Sequence, residues 1–211
     1  MSGRGRSAVP AELLDQVADE AARVMAEHGI RDFALAKRKA AERLGLSTRG
    51  VLPSNALVQA RLVARQRLFE PEAHDARIAK LRRLAANVMN LLEQFRPKLV
   101  GAVLDGTATI NSAVELHVFS DSPELVAATL ETCGVRVHDS QRRYRFGPDD
   151  NTQIPGFELV LEDEDVQVMV FPERGAHHAP QSPVDGRPMR RASRAAVIGL
   201  LESTDSDRTG P

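Results

Sequence analysis

Residues 99–119, LVGAVLDGTATINSAVELHVF, decide how the rest of this chain is read. The segment opens on the apolar run Leu99–Val100, meets Gly101 and Gly106, and resumes as an alternating strand from Val114 to Phe119. Glycine lets backbone approach a ligand closely, and free amides in such a loop can cradle a phosphate. Read from its residues alone, the stretch is a strand over 98–106, a glycine turn, and a second strand over 114–121. Any α+β protein contains such a unit.

Outward from this segment the chain changes period. Upstream, Leu13, Leu14, Val17, Ala18, Ala21, Val24 and Met25 recur at three- and four-residue intervals, which predicts a helix from Pro10 to about Glu27 stopped by Gly29. Further helices are expected over 31/32–44, over 56–69 behind a Ser54 or Asn55 cap, and over about 72–95, ended by Pro97. Gly50 and Pro53 break the pattern between the second and third. Downstream, Pro123 opens a short helix that Gly134 closes. RVHD and RRYRF read as one or two short strands, and GPDDNTQIPG (147–156) as a loop. Segments 157–163 and 165–172 read as a hairpin turning at Asp163–Glu164. A last helix is expected from Arg190 to Glu202. The expectation is an α+β chain: a flexible start (1–9), a helical half (10–97), a small mixed sheet with helices (98–202) and a disordered tail (203–211).

Composition narrows the function classes. The chain has 211 residues, 42% hydrophobic and 4% aromatic with no Trp, which suits a packed core and argues against base-stacking platforms for nucleic acid. Its one cysteine, Cys133, excludes an internal disulfide framework and a thiolate zinc site, and reads as a small buried hydrophobe. No apolar run reaches the roughly 18 residues of a membrane span. MSGRGRSAVP lacks the apolar stretch of a secretory signal, so a cytoplasmic protein is expected. The net charge of −1 conceals a split. Residues 1–97 hold 17 Lys and Arg against 11 Asp and Glu, while residues 98–211 hold 11 against 18. Either the basic half meets an anionic partner such as nucleic acid or an acidic protein, or the halves attract each other.

The glycine segment resembles the nucleotidyltransferase superfamily, the fold of DNA polymerase beta and the minimal nucleotidyltransferases, whose pattern is close to L-F-G-S-x-A-x-G-x-A-x-x-x-S-D-I-D-L. Laid over the chain without gaps, Gly101 and Gly106 take the glycine positions, and Ala108 and Ser112 also fall on pattern positions. The resemblance covers some 20 residues tightly, and about 75–172 in element order. It implies a mixed sheet of that type and transfer of a nucleoside monophosphate from a triphosphate to a hydroxyl or phosphate acceptor. Carboxylates on two strands would hold two divalent cations, Mg²⁺ or Mn²⁺, with the nucleotide triphosphate. On this reading Gly101, Gly106, Thr107 and Ser112 line the phosphate loop and Glu115 is the metal ligand. The chain departs from the pattern at Ala102, Ala113 and Gln167, where the serine and two carboxylates would stand. That puts turnover in doubt and favours a catalytically degenerate member.

Alternation places His117 on the face of Glu115. The pair, with Glu158 or Glu162, either forms a mixed nitrogen–oxygen metal site or belongs to an ordinary polar strand face. Asp105 sets a negative charge where a triphosphate would lie. Arg142, Arg143 and Arg145 beside Tyr144 meet either a nucleotide phosphate or the acidic stretch Glu162–Asp165. His177–His178 reads as solvated loop. Lys39–Ser47 resembles the opening of a helix-turn-helix, but its connection onward is too long for that motif. Arg61, Arg65 and Arg67 could contact phosphates or line a solvated helix face. The competing class is therefore a non-enzymatic module that binds nucleotide, nucleic acid or protein, the last two through the basic helices.

Overall fold

A computed structural model describes residues 10–208 except 31, 48–51, 70 and 110. The expected flexible start (1–9), the Gly50 break and residues 209–211 of the tail lie outside the described residues. The architecture is α+β, with helices preceding a five-stranded mixed sheet. The chain forms two compact units, Met1–Pro71 and Glu72–Pro211. The helical stretch 10–97 is thus divided between them.

The first unit holds α1 (Ala11–His28), α2 (Phe33–Arg43) and α3 (Asn55–Phe69). Gly29, at φ 65°, ends α1 in the left-handed conformation that costs glycine least. The Asp32 carboxylate caps α2 by accepting from the Leu35 amide at 2.8 Å, and the Ser54 hydroxyl does the same for Leu57 at 3.1 Å. Val17, Ala18, Ala21 and Val24 of α1 pack on Ala36, Ala40 and Val58. Small residues at the α1–α2 contact let the two backbones approach closely.

The second unit holds α4 (Pro71–Leu91), β1 (Lys98–Val100), α5 (Gly101–Asp105), β2 (Val114–Phe119), α6 (Pro123–Thr132), β3 (His138–Arg145), β4 (Asn151–Leu161), β5 (Glu164–Phe171) and α7 (Arg194–Arg208). The sheet order is β1-β2-β5-β4-β3, with β2 and β5 parallel and every other pair antiparallel. One face carries Val114, Leu116 and Val118 of β2 with Val166, Val168 and Val170 of β5, packed with Leu81, Leu84, Val88 and Leu92 and with Val126 and Leu130 of α6. Each such side chain, removed from water, contributes about 1.5–3 kcal/mol before the entropy of ordering it. The other face carries Glu115, His117 and Phe119 and is closed in part by a second cluster, Phe119, Tyr144, Ile154, Met169 and Phe171.

Several boundaries differ from the sequence expectation, each for a local reason. The strand expected over 98–106 stops at Val100. Gly101 turns the chain at φ 69°, and residues 101–105 coil so that the adjacent Val103 and Leu104 are both buried, which a strand cannot do. Gly106, at φ 72°, ends that turn. Residues 138–145 form one strand, and the loop expected over 147–156 is shorter because β4 begins at Asn151. The β4–β5 hairpin turns at Glu162–Asp163, one residue earlier than expected. Both have positive φ, 52° and 62°, the signature of a two-residue I′ turn whose twist matches the strands. The last helix starts at Arg194 rather than Arg190 and runs on to Arg208, through positions read as tail.

Cys133 is exposed, not buried. It caps α6, while Gly134 (φ 78°) lets the Val135 amide reach back to the Leu130 carbonyl at 3.1 Å. In this Schellman closure Val135 and Leu130 turn inward and the cap residue outward.

Candidate functional site

The polar face of the sheet is organised by strand register. Glu115 of β2 pairs with Gln167 of β5, and Gln167 with Glu158 of β4. Gly101 stands at the end of β1 beside them. A Cβ on Gly101 would lie 3.3 Å from the Glu115 carboxyl carbon and from its Oε2, so the carboxylate rests against bare backbone. Oε2 also accepts from Arg142 Nη1 at 2.8 Å. Arg142 lies on β3, two strands beyond β5 and three from β2. At the usual strand spacing this separates the backbones by roughly 14 Å. Both side chains must stretch over the sheet to meet, while at Gly156 of β4 the missing side chain makes room for Met169, whose Sδ would lie 2.8 Å from a Cβ there.

His117 is fully buried next to this pair. Its Nδ1 accepts from Arg191 Nε at 3.2 Å, which leaves the proton on Nε2 to be donated to the Tyr144 hydroxyl at 3.3 Å. Its ring lies 4.4 Å from that of Phe171 and edge-on to Tyr144 at 5.4 Å. Burial first, then the nearby Arg191 and Arg142 charges, hold the imidazole well below its ordinary titration range. Burial likewise raises the Tyr144 phenol. Burial works against the charge on Arg142, but Glu115 and Tyr144 outweigh it and its pKa is raised. Arg191 Nη1 donates to the Gly175 carbonyl at 2.9 Å, and the guanidinium lies 5.1 Å from the centroids of both Phe119 and Phe171. Its Nη2 is buried and has no hydrogen-bond partner among the described residues.

The loop residues named from sequence are brought together, but they hold the loop itself. The amides of Gly106 and Thr107 both donate to the Ala102 carbonyl, the latter at 2.8 Å. The Gly106 carbonyl meets His74 Nε2 at 3.0 Å. Ser112 Oγ accepts from the Thr109 amide at 2.9 Å. Arg82 braces α5 by donating to the carbonyls of Val103 and Leu104 at 3.2 and 3.1 Å. Burial raises the pKa of Asp105, against the lowering pull of Arg190 at 3.1 Å. These amides point into the loop.

Glu115 and His117 share a face as alternation requires, yet both ring nitrogens of His117 and one Glu115 oxygen are already engaged. Gln167 Nε2 donates to Glu158 Oε1 at 3.1 Å. Among the described residues, no group of three or more His, Cys, Asp or Glu is placed to hold a metal.

The acidic turn offered as partner to Arg142 goes elsewhere: Glu164 is bound by Arg77 through two contacts of 2.6 and 2.7 Å and by Lys80 at 2.7 Å. Arg145 Nε donates to Gln181 Oε1 at 2.7 Å. The His178 ring lies tilted against Phe146, centroids 5.1 Å apart. In the first unit Arg61 pairs with Asp15 at 2.9 Å, Arg65 with Glu27 at 3.3 Å and Arg43 with Glu20 at 3.2 Å. The side chain of Arg67 lies outside the described residues. Sequence reasoning missed Arg191, His74 and the Arg77–Glu164 pair. The contacts Arg191–His117, His74–Gly106 and Arg77–Glu164 span 74, 32 and 87 positions, and no local spacing announces them.

No helix among the described residues is long and apolar enough to cross a membrane. No protein-family model matches the chain, and no curated protein matches it as a relative.

Proposed function

We propose that residues 72–211 are a nucleotidyltransferase-like unit that binds a nucleotide through its polyphosphate and does not transfer it. The observation that carries this reading is the state of Glu115. Its carboxylate sits at the Gly101 turn, where the resemblance puts chemistry, but it is committed to Arg142 and faces Gln167 instead of a second carboxylate. The element order also supports the reading: strand, glycine turn, one helical turn, then a strand in parallel register with β5. In-line phosphoryl transfer needs charge neutralisation at the attacking and leaving oxygens, and one paired carboxylate does not supply it. The alternative, a module using the basic helices for nucleic acid or an acidic protein, is the weaker reading, because Arg43, Arg61 and Arg65 are held by acidic side chains of their own unit. One free, exposed cysteine suits a reducing compartment such as the cytoplasm.

Two measurements on the purified chain test this. Thermal unfolding against ATP, CTP, GTP and UTP is expected to show a raised midpoint with at least one of them, since specific binding to the native state must stabilise it. Incubation with radiolabelled triphosphates is expected to give no labelled product. Absence of any midpoint shift overturns the binding half of the proposal, and label incorporation that Glu115→Ala abolishes overturns the other.

A further inference from the structure

The resemblance implies two divalent cations, and the donor set here does not fit them. Mg²⁺ asks for near-octahedral hard oxygen ligands at about 2.1 Å. The face offers Glu115, with Ala113 and Gln167 at the neighbouring positions, and Glu115 is already the acceptor of a guanidinium. A positive charge therefore stands at this position in the form of a side chain.

Resting on the nucleotide reading above, we propose that the Arg142 guanidinium is the built-in cation of the site. It takes the polyphosphate directly, without a divalent metal, and Glu115 is the internal counter-ion that the ligand must displace or share. Three observations carry this. Arg142 has five N–H donors, and its partners among the described residues are Glu115 and Tyr144, which leaves donors for a ligand. Its side chain is 41% exposed whereas that of Glu115 is 15% exposed, so a ligand approaching from solvent reaches the cation more readily than the carboxylate. Arg191 adds a second positive charge whose partners among the described residues are a neutral imidazole, backbone carbonyls and aromatic faces, with no carboxylate among them. The local field favours an anion, and a planar guanidinium fork matches a phosphate better than a point charge does.

This reverses the sign expected of Glu115. In a metal-dependent site its removal destroys binding; here it frees Arg142 and tightens binding. The test is isothermal titration of the full chain with ATP and with inorganic tripolyphosphate, each in chelator and in Mg²⁺, for the native protein, Glu115→Gln and Arg142→Gln. We expect ATP to bind in chelator at least as tightly as in Mg²⁺, and several-fold tighter with Glu115→Gln. With Arg142→Gln binding weakens by about tenfold or more, the loss of a charge-assisted hydrogen bond. Should Arg142→Gln fail to unfold cooperatively, Glu115→Gln decides alone. Binding that needs Mg²⁺ and disappears in Glu115→Gln overturns the inference and leaves nucleotide binding standing. Tripolyphosphate binding as tightly as ATP in chelator keeps the Arg142 assignment and overturns the nucleotide reading. No binding of either probe in any condition overturns both.

Discussion

His117 gives the sharpest quantitative prediction, because its environment forbids its ordinary protonation. The ring is fully buried, accepts at Nδ1 from a guanidinium and has a second arginine close by. Glu115, on the same sheet face, is already paired with Arg142. In the unfolded chain the imidazole titrates near pH 6.5, and in the folded chain it remains neutral far below that. Below about pH 6.5 the unfolded state therefore binds one proton more than the folded state, and stability falls as pH falls, by up to about 1.4 kcal/mol per pH unit. Between pH 7 and pH 5.5 this one group removes about 1.2 kcal/mol. That corresponds to roughly 2–4 °C in Tm for a chain of this size.

The comparison to make is urea unfolding of the native protein and His117→Gln at a series of pH values, followed by tyrosine fluorescence. Tyr144 is the chain's one tyrosine, there is no tryptophan, and its hydroxyl touches His117, so the signal reports on this unit. Subtracting the two curves removes the contributions of Glu20 and Glu164, whose lowered pKa values also cost stability in acid. His117→Gln should be less stable at neutral pH but less sensitive to acid, the gap closing by about 1.2 kcal/mol. Parallel curves would mean that His117 takes up its proton in the folded state, and the buried Arg191–His117–Tyr144 arrangement would be wrong.

Gly156→Ala should destabilise by about 1–3 kcal/mol in the same assay, because the added Cβ would lie 2.5 Å from the Val168 carbonyl oxygen, backbone that cannot move aside. Glu164→Gln should cost about 2–3 kcal/mol by removing the nearly buried charge that Arg77 and Lys80 both contact; because the Glu164 pKa is lowered, this contribution is present at neutral pH and fades as the solution is acidified into the carboxylate range. Gly101→Ala should cost about 1–2 kcal/mol, combining left-handed backbone with a tight approach to the Glu115 carboxylate, which chemical denaturation measures directly. Cys133 should react with a maleimide in the folded protein at a rate close to that in urea; strong native-state protection would contradict its place at the outer end of α6.

Short-range rules account for the features of this fold that are legible along the chain. The heptad-like spacing of α1, the proline start and glycine stop of α6, the alternation of β2 and β5, and the order of helices before a mixed sheet all follow from residues within one or two turns of each other. The placement of Glu115 and His117 on one face followed in the same way, from the period of two. Sequence reasoning lost accuracy where one residue's conformation depends on distant neighbours. Gly101–Asp105 coils instead of extending, with Arg82 of α4 bracing its carbonyls and Gly106 closing it. The pairing of charges depends instead on the assembled sheet. Arg142 is offered several acids by the sequence, including the turn at 162–165 that lies nearer along the chain. Strand order hands that turn's Glu164 to Arg77 and Lys80, and lays Arg142 across the sheet onto Glu115. Coulomb attraction acts through space and not along the chain, so the partner of a charged side chain, and with it the chemistry of the site, is settled only when the sheet has formed.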